Sequence, residues 1–443
     1  MLRNLQYVLA FLSRVVLARY RPKIVAVAGS VGKTSTTRAV AAVLGRAFPT
    51  RASSRNHNNE IGVPLTILGE PSSGGRSIFA WAGILWRGFR LAFGPERDYP
   101  KVLVLEMATD HPGDLDYLTA IAPPDVSVLT AISEEHTEFL GDLDGVAKEE
   151  GAIVRAVAER GTAVLNADDV RVAPMGDGMG ERAVLFGFGP SARVRAERVS
   201  AETALGTVFT RFDLLIDGVS YAANLSEAIG EGNVYAALAA AGVGVAFGID
   251  PAAIPYGLAE YQPPPGRLRV LSGVKRTVIV DDTYNSSPRA AELALRTFAA
   301  LPREGDARRI AVLGDMFELG ALTEESHRRI GKAAAASGLD MLVGVGAASA
   351  LLCEAAREAG MPDERVFHMR DAVASGRFLQ DRIHPGDLLL IKGSRGMRME
   401  RVVKELMAEP SRAAELLVSQ EKKGRNKPKI WRFCHKDLTE AFF

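Results

Sequence analysis

The residues best suited to chemistry lie in the segment GSVGKTS at positions 29–35. Its glycines let the backbone curl so that amides point inward at phosphate oxygens. Lys33 can reach terminal phosphates, and the Thr34 hydroxyl can bind Mg²⁺. Val27 stands where the usual nucleotide loop has an earlier glycine, so only the shorter form of the pattern is present. The residues expected to contact a nucleotide here are Gly29, Ser30, Val31, Gly32, Lys33, Thr34 and Ser35.

Two further residues are candidate ligands for the metal that accompanies a nucleotide. Glu106 directly follows the apolar run KVLVL, and His136 follows VSVLTA. The carboxyl ends of parallel strands are where α/β sheets bind ligands. An isolated histidine is more often structural, but the acidic residues near His136 favour a role as a ligand.

The elements that must position these residues alternate between strand and helix, which predicts an α/β fold. The run Lys23–Ala28 is a strand that leads into the loop, and a helix should follow to about Leu44. Further strands are predicted at 101–105, 126–131 and 163–165, and 192–225 alternates like a small antiparallel insertion. A helix is predicted from 232 to 247. After a proline-rich break at 262–266, strands at 277–280, 309–313, 341–345 and 387–391 predict a second α/β unit.

The predicted organisation is therefore a central phosphate-loop domain with a mostly parallel sheet and a Rossmann-like C-terminal α/β domain. The boundaries are an amphipathic helix at 1–22, the central ATP-binding domain at 23–260, the C-terminal domain at 261–409 and a loosely attached polar tail at 410–443.

Composition limits the possible partners. The 443 residues carry a net charge of +1, which gives no global field to recruit nucleic acid. The two cysteines, Cys353 and Cys434, form neither a metal-ligand pattern nor a disulfide framework, which suits a reducing cytoplasm.

The N-terminal segment allows two interpretations. Its apolar residues recur at helical spacing between arginines, but no uncharged run approaches the ~20 residues of a membrane span. The helix either packs on the body or lies on a membrane surface, so we expect a cytoplasmic protein with possible peripheral membrane contact through residues 1–20. The apolar residues concerned are Leu2, Leu5, Leu9, Leu12 and Val16.

Several motifs together resemble the Mur ligases of peptidoglycan synthesis, most closely the branch that adds D-alanyl-D-alanine. The resemblance runs from about Ile24 to about Val403. Its motifs are GSVGKTS at 29–35, NHNNEIGVPLTIL at 56–68, LEMATDHPGDLDYL at 105–118, SEEHTEFLGDLDGVAKEEG at 133–151, LNADD at 165–169, PPGRL at 264–268, VDDTYNSSP at 280–288, VLGDMFELG at 312–320 and IKGSRGMRMERVV at 391–403. The combination is specific, although no single motif would be.

The resemblance implies an ADP-forming ligase that uses ATP and Mg²⁺. ATP phosphorylates a substrate carboxylate, an amine attacks the acyl phosphate, and the tetrahedral intermediate collapses to an amide. Two anions must meet, so positive charge must surround them. The implied small-molecule partners are a muramyl peptide and a D-alanyl-D-alanine-like dipeptide, without nucleic acid.

The resemblance also implies a role for each matched residue. Lys33, His136, Glu150 and Lys392 would be catalytic, and Thr34, Glu106, His136 and Glu150 would bind metal. Asn233, Arg267 and Asp282 would meet the nucleotide. Asn58, Asn59, Tyr284, Asn285 and Arg395 would bind substrate.

The sequence departs from the family pattern in three places. Only 28 residues precede Gly29, too few for the family's N-terminal UDP-sugar domain, so the UDP end is expected to be bound differently, by another protein, or to be absent. Glu150 stands where the family often has a carbamylated lysine, and its two anionic oxygens could replace the carbamate. Gly232 and Ala236 replace the expected histidine and second asparagine of the adenine-side motif.

Three functions stay open at this point. The favoured one joins a D-alanyl-D-alanine-like dipeptide to a UDP-N-acetylmuramoyl tripeptide. The second is a Mur-like ligase that acts on a lipid-linked or non-peptidoglycan carboxylate. The third is a nucleotide-binding partner without turnover, which the presence of Lys33, Thr34, Glu106 and His136 disfavours.

Overall fold

Two β-sheets, joined by a proline-rich segment, carry the part of the chain that the computed structural model describes. That part comprises residues 2–54, 57–71, 75, 77–95, 98–133, 140, 142–157, 159–204 and 207–418. The first sheet has the order β2-β3-β1-β4-β5-β6-β7-β8-β9. Its strands are β1 Lys23–Ala28, β2 Thr50–Ala52, β3 Val102–Glu106, β4 Val126–Leu129, β5 Thr162–Asn166, β6 Ala183–Gly187, β7 Val194–Ala204, β8 Thr207–Ile216 and β9 Val219–Ser226.

This sheet is parallel from β2 to β7 and antiparallel across β7, β8 and β9. The central strands are buried on both faces, which explains their continuous apolar runs. The predicted antiparallel segment at 192–225 is confirmed, but it extends the main sheet. The helices here are α1 Leu2–Tyr20, α2 Lys33–Gly45, α3 Gly62–Leu68, α4 Ile78–Phe93, α5 Asp114–Ile121, α6 Leu143–Glu150, α7 Ala152–Arg155, α8 Glu231–Ala246 and α9 Ile254–Ala259.

The second sheet has the order β10-β11-β15-β12-β13-β14, in which only the edge strand β10 is antiparallel. This is the predicted second α/β unit. Its strands are β10 Arg269–Ser272, β11 Val278–Asp282, β12 Arg309–Gly314, β13 Met341–Val345, β14 Val366–Met369 and β15 Leu388–Lys392. Its helices are α10 Pro288–Ala299, α11 Thr323–Ala336, α12 Ser349–Glu358, α13 Ala372–Gln380, α14 Glu400–Leu406 and α15 Ala413–Leu416.

Helix α1 packs on the body. Leu9, Leu12 and Val16 are buried in the core beside β1 and β3, so this part of the apolar stripe faces the protein interior and not a membrane. Among the described residues, no helix combines the length and the apolar character needed to cross a bilayer.

The C-terminal body extends beyond the predicted boundary at 409. Residues Ala413, Leu416 and Leu417 are buried against the second sheet, because apolar residues recur there after the basic turn at Arg412. The tail prediction for 419–443 lies outside the described residues.

Backbone bonds also join the two bodies directly. Val270 N donates to Glu227 O at 2.8 Å, and Ile229 is buried in the core of the second body. The carboxyl end of β11 and the linker therefore lie beside the first body, where a shared site can form.

Candidate active site

The phosphate loop is a strand–turn–helix connection between β1 and α2. Gly29 has φ +121°, and a Cβ atom there would lie 2.2 Å from Thr130 Oγ1, so no other residue fits. Gly32 has φ +91°, which lies in the left-handed region that favours glycine. Gly29 therefore allows the loop to approach Thr130 closely, and Gly32 allows the turn into α2.

The loop is anchored from β4. Ser30 N donates to Ala131 O at 2.7 Å, and Thr130 Oγ1 donates to Val31 O at 2.6 Å. Lys33 Nζ donates to the carbonyl oxygens of Gly29 and Ser30. The lysine therefore points back over the loop. The first amides of α2, like those of any helix, have no carbonyl one turn earlier and favour an anion.

Glu106 ends β3 beside the loop, paired in register with Val27. Its Oε1 accepts from Thr34 Oγ1 at 3.2 Å and from Asn58 Nδ2 at 3.0 Å. Its Oε2 is buried, and no hydrogen-bond donor for it occurs within the described ranges. Burial raises the pKa of the Glu106 carboxyl, while the Asn58 hydrogen bond and the charge of Lys33 oppose that rise.

A divalent cation fits these donors. A buried carboxylate oxygen without a donor is costly, and Mg²⁺ prefers carboxylate and hydroxyl oxygens. Thr34 and Glu106 would hold it, as predicted. His136 lies outside the described residues, so its predicted role as a metal ligand and catalytic residue stays a prediction.

Glu150 lies at the C-terminal end of α6, and its side chain is only 3% exposed. Its Oε2 accepts a hydrogen bond from Gly29 N at 2.8 Å. The structure therefore brings Glu150 to the phosphate loop, where a carboxylate could support a second cation. That role stays a prediction.

The two asparagines predicted to bind substrate differ in their contacts. Asn58 donates to Glu106, so it belongs to the metal-side cluster. Asn59 Oδ1 accepts from Gly62 N at 2.9 Å and from Ile61 N at 3.3 Å, so it caps α3. Its substrate role stays a prediction.

Asn233, predicted to lie near adenine, is buried at the start of α8. Its Nδ2 donates to Ile229 O at 2.9 Å, and its Oδ1 accepts from Tyr261 Oη at 2.7 Å. Ser35 hydrogen-bonds the same Tyr261 hydroxyl. Asn233 is thus connected to the phosphate-loop helix through Tyr261, and a direct contact with adenine stays a prediction.

Arg267 and Arg395 meet on one aromatic ring. The Arg267 guanidinium lies 4.1 Å from the centroid of Tyr284, and that of Arg395 lies 5.7 Å from it. Arg267 is also close enough for its charge to lower the pKa of Glu106. The linker therefore delivers positive charge to the metal-side cluster of the first body.

Asp282 and Lys392 form a buried ion pair at the carboxyl ends of β11 and β15. Lys392 Nζ lies 2.6 Å from Asp282 Oδ2 and donates to Asn285 O at 2.9 Å. Asn285 Oδ1 accepts from Arg395 N at 3.4 Å. The predicted C-terminal residues are therefore assembled in one cluster.

Three residues that hold the site in place were not predicted from the sequence. Thr130 clamps the loop and Tyr261 connects α2 to α8. Buried Asp281 accepts from Gly266 N and Thr283, and so fixes the linker. The only signal for Thr130 is its place directly after a buried strand, and Tyr261 offers none beyond its position before the prolines.

Comparisons with known families place the chain among ligases. A model described as the Mur ligase middle domain matches residues 90–244. A second, described as the Mur ligase, glutamate ligase domain, matches residues 266–395.

Two relatives carry the name UDP-N-acetylmuramoyl-tripeptide–D-alanyl-D-alanine ligase. The one from Escherichia coli is 32% identical over 389 residues, which cover 87% of this chain and 76% of the relative. The one from Bacillus subtilis is 29% identical over 399 residues, with 90% and 79% covered.

Solved structures agree with these relatives. MurF from Acinetobacter baumannii matches with a TM-score of 0.74 and 25% identity, covering 90% of this chain and 79% of that one. A MurF ligase from Thermotoga maritima, in complex with ADP, matches with a TM-score of 0.68 and 26% identity, covering 90% and 83%.

Proposed function

Because the chain belongs to the Mur ligase family, we propose that it joins D-alanyl-D-alanine to a UDP-N-acetylmuramoyl tripeptide. It is an ATP-dependent, ADP-forming carbon–nitrogen ligase that uses Mg²⁺. This carboxylate and this amine are the substrates in the names of the relatives from Escherichia coli and Bacillus subtilis.

One observation in the structure carries the proposal. The Glu106 carboxylate lies beside the phosphate loop, and one of its buried oxygens has no hydrogen-bond donor among the described residues; burial raises its pKa, and the positive charges of Lys33, on the loop, and Arg267, on the linker, both lower it. Transfer of a phosphoryl group to a carboxylate brings two anions together, and fixed positive charge stabilises their approach.

The residues divide this work by position. Lys33, whose Nζ contacts the loop carbonyls, would bind the terminal phosphates, and Thr34 and Glu106 would hold Mg²⁺, which would supply positive charge for phosphoryl transfer. Lys392 is buried and its charge is neutralised by Asp282, while its ammonium group also holds the Asn285 carbonyl. It would therefore position the segment that carries Asn285 for an incoming substrate, and the linker carries the Arg267 guanidinium.

The test is product formation by the full-length protein. With ATP, Mg²⁺, the muramyl tripeptide and D-alanyl-D-alanine, mass spectrometry should show the amide, and ADP release should require both substrates. Lys33→Met should abolish both readouts, whereas Lys332→Met, a matched change on an exposed lysine of α11, should retain them. ADP release that ignores the dipeptide would refute the proposed amine, and no amide with any pair would refute the reaction.

A lipid-linked carboxylate is the second candidate substrate. The observation that favours it is the apolar outward surface of α1 and α4, which would suit work next to a membrane. A lipid-linked muramyl tripeptide offered in competition with the UDP-linked one separates the two, since the preferred acceptor is consumed first.

We also propose a cytoplasmic site of action. Cys353 is a buried free thiol, which suits a reducing compartment. The predicted peripheral contact through residues 1–20 can involve only the outward side of α1, because its inner stripe is buried.

A further inference from the structure

Helix α4 carries an apolar stripe that faces away from the protein. Phe79 is 90% exposed and Trp86 62%, and Ile78, Phe89 and Phe93 are each more than half exposed. Positions 79, 86, 89 and 93 fall on one side of a helix, and they extend over about 20 Å. Single exposed apolar residues are ordinary, but a continuous aromatic stripe marks an interaction surface.

The orientation of α4 is set by its inner side. Ile84, Gly88 and Ala92 are buried, and a Cβ atom on Gly88 would lie 3.1 Å from the Leu12 side chain of α1. Helix α4 is therefore apolar on its inner side, where Trp81 and Leu85 also pack against the core, and on its outer side, whereas an ordinary surface helix has a polar outer side.

The C-terminal end of α4 is also fixed. Arg19 of α1 donates hydrogen bonds to Ala92 O at 3.0 Å and Leu91 O at 3.1 Å, and also to Gly94 O. Turning the aromatic stripe inward would break these bonds and force Phe and Trp against α1, so exposure is the stable state of this helix.

Helix α1 continues the apolar surface. Tyr7, Val8 and Phe11 are exposed on its outward side. Val8 lies one turn before Leu12, which is the residue that meets Gly88, so it borders α4. The two helices together form what we call the α1–α4 surface, made of Tyr7, Val8, Phe11, Ile78, Phe79, Trp86, Phe89 and Phe93.

Basic residues are in excess on the two helices of this surface. Helices α1 and α4 contain five arginines and no acidic residue, whereas the whole chain has 54 basic and 53 acidic residues. Two acidic residues of neighbouring segments lie beside them, since Glu70 pairs with Arg87 and Glu60 accepts a hydrogen bond from Gln6. Arg90 lies 5.5 Å from the Trp86 ring centroid, so a cation borders the stripe itself.

We propose that the α1–α4 surface docks on a lipid bilayer that contains anionic headgroups. Aromatic side chains with an arginine rim suit the interface, where rings enter the acyl boundary and guanidinium groups meet phosphates. A symmetric contact between two copies fits less well, because it would face arginines with arginines. The proposal extends the predicted contact of residues 1–20 to a second helix, and it does not depend on which amide the enzyme makes.

Vesicle flotation of the full-length protein tests the proposal. The protein should float with vesicles that contain about 30 mol% phosphatidylglycerol, bind pure phosphatidylcholine several-fold less, and release in roughly 0.5 M salt. The variant Phe79→Glu/Phe89→Glu should bind these vesicles about tenfold less or weaker still, because two carboxylates replace two aromatic rings that would enter the bilayer. These two residues are exposed, so the fold should persist.

A matched control makes the same charge change elsewhere. Val219→Glu/Leu322→Glu alters two exposed apolar residues away from α4 and should bind vesicles like the unmodified protein. Trp86 gives a second readout, since vesicles should shift its fluorescence to shorter wavelength, and Trp86→Phe should lose that shift while still floating.

Three results would overturn the proposal. The first is failure of the protein to float with anionic vesicles, and the second is flotation of the Phe79→Glu/Phe89→Glu variant as strong as that of the control. The third is a dimer in light scattering that only this variant dissociates, which would assign the surface to a second copy. Ligase activity in vesicle-free buffer should be equal in all variants, so loss of vesicle binding and failure of the proposed reaction are separate outcomes.

Discussion

Replacing Glu150 by Gln tests the role of the carboxylate that contacts the phosphate loop. Gln keeps one oxygen that can accept from Gly29 N, at 2.8 Å in the unmodified protein, and replaces the other carboxylate oxygen by an amide NH2 group, which removes the charge. A hydrogen bond to a charged group contributes ~1.5–3 kcal/mol and a neutral one about 1, so the loss of stability should be about 1 kcal/mol. For a domain of this size that lowers Tm by roughly 2–4 °C.

The expected loss of activity is much larger. If the Glu150 carboxylate supports a second Mg²⁺, removing its charge weakens a hard-cation site at the reacting phosphate. We expect ADP release to fall by about 100-fold, or roughly 2.7 kcal/mol, and the Mg²⁺ midpoint to rise. A Mg²⁺ titration of steady-state ADP release, run beside thermal unfolding, measures both effects.

The neighbouring residue provides a matched control. Glu149 is also buried, but its carboxylate accepts from Gly113 N, Leu115 N and Thr109 and so anchors α5. Glu149→Gln should lower stability without moving the Mg²⁺ midpoint. Glu150→Lys should be more active with bicarbonate than without it, because carbamylation of the lysine restores two anionic oxygens. Activity of Glu150→Gln within about threefold of the unmodified enzyme, with the same Mg²⁺ midpoint, would refute the metal role.

Three further predictions follow from the site. Lys33→Met should reduce ADP release by about 10³-fold in a coupled assay, with the free energy of unfolding changed by no more than ~1 kcal/mol, because within the described residues the hydrogen bonds of Lys33 go to loop carbonyls. Burial raises the pKa of Asp281 to about 6, above the ~3.9 of the unfolded chain. The stability that the protonated Asp281 carboxyl gives the folded state is therefore fully present below about pH 4 and is lost as pH rises through 6. Asp281→Asn cannot titrate, so its free energy of unfolding in urea, relative to that of the unmodified protein, should rise by roughly 1–2 kcal/mol from about pH 5 to 7.5. A difference that does not change with pH would contradict the raised pKa. Lys392→Met leaves the Asp282 carboxylate buried without its cation and should cost about 3–5 kcal/mol in unfolding, partly recovered in Asp282→Asn/Lys392→Met, and an equally unstable double variant would contradict the pairing.

The parallel strands could be predicted because burial on both faces leaves a continuous apolar run. Strands β1, β3 and β12 are of this kind, and each lies where the sequence indicated. Helix α4 was not predicted, because it is apolar on both its inner and its outer side. It therefore lacks the contrast between an apolar and a polar side from which an amphipathic helix is recognised in a sequence.

The site divides along the same lines. Residues at strand ends, such as Glu106 and Lys392, could be predicted because topology alone brings such positions to one edge. The hydrogen-bond partners of Asn59 and Asn233 could not be predicted, because packing sets them. Asn59 caps a helix that begins three residues later, and Asn233 accepts from a tyrosine 28 positions away.

The contacts that escaped prediction also explain how the two bodies act together. Ser35 at the start of α2 contacts Tyr261, Tyr261 donates to Asn233, and Asn233 reaches toward Arg267 O at 3.5 Å. These contacts run from the helix that receives the phosphates to the linker that carries the arginine. A shift of α2 on nucleotide binding would therefore be felt at the linker without a direct contact between phosphate and the second body. Asn233 and Tyr261 are buried, so breaking the hydrogen bond between them leaves unsatisfied partners, and the two bodies are favoured to move as a coupled pair.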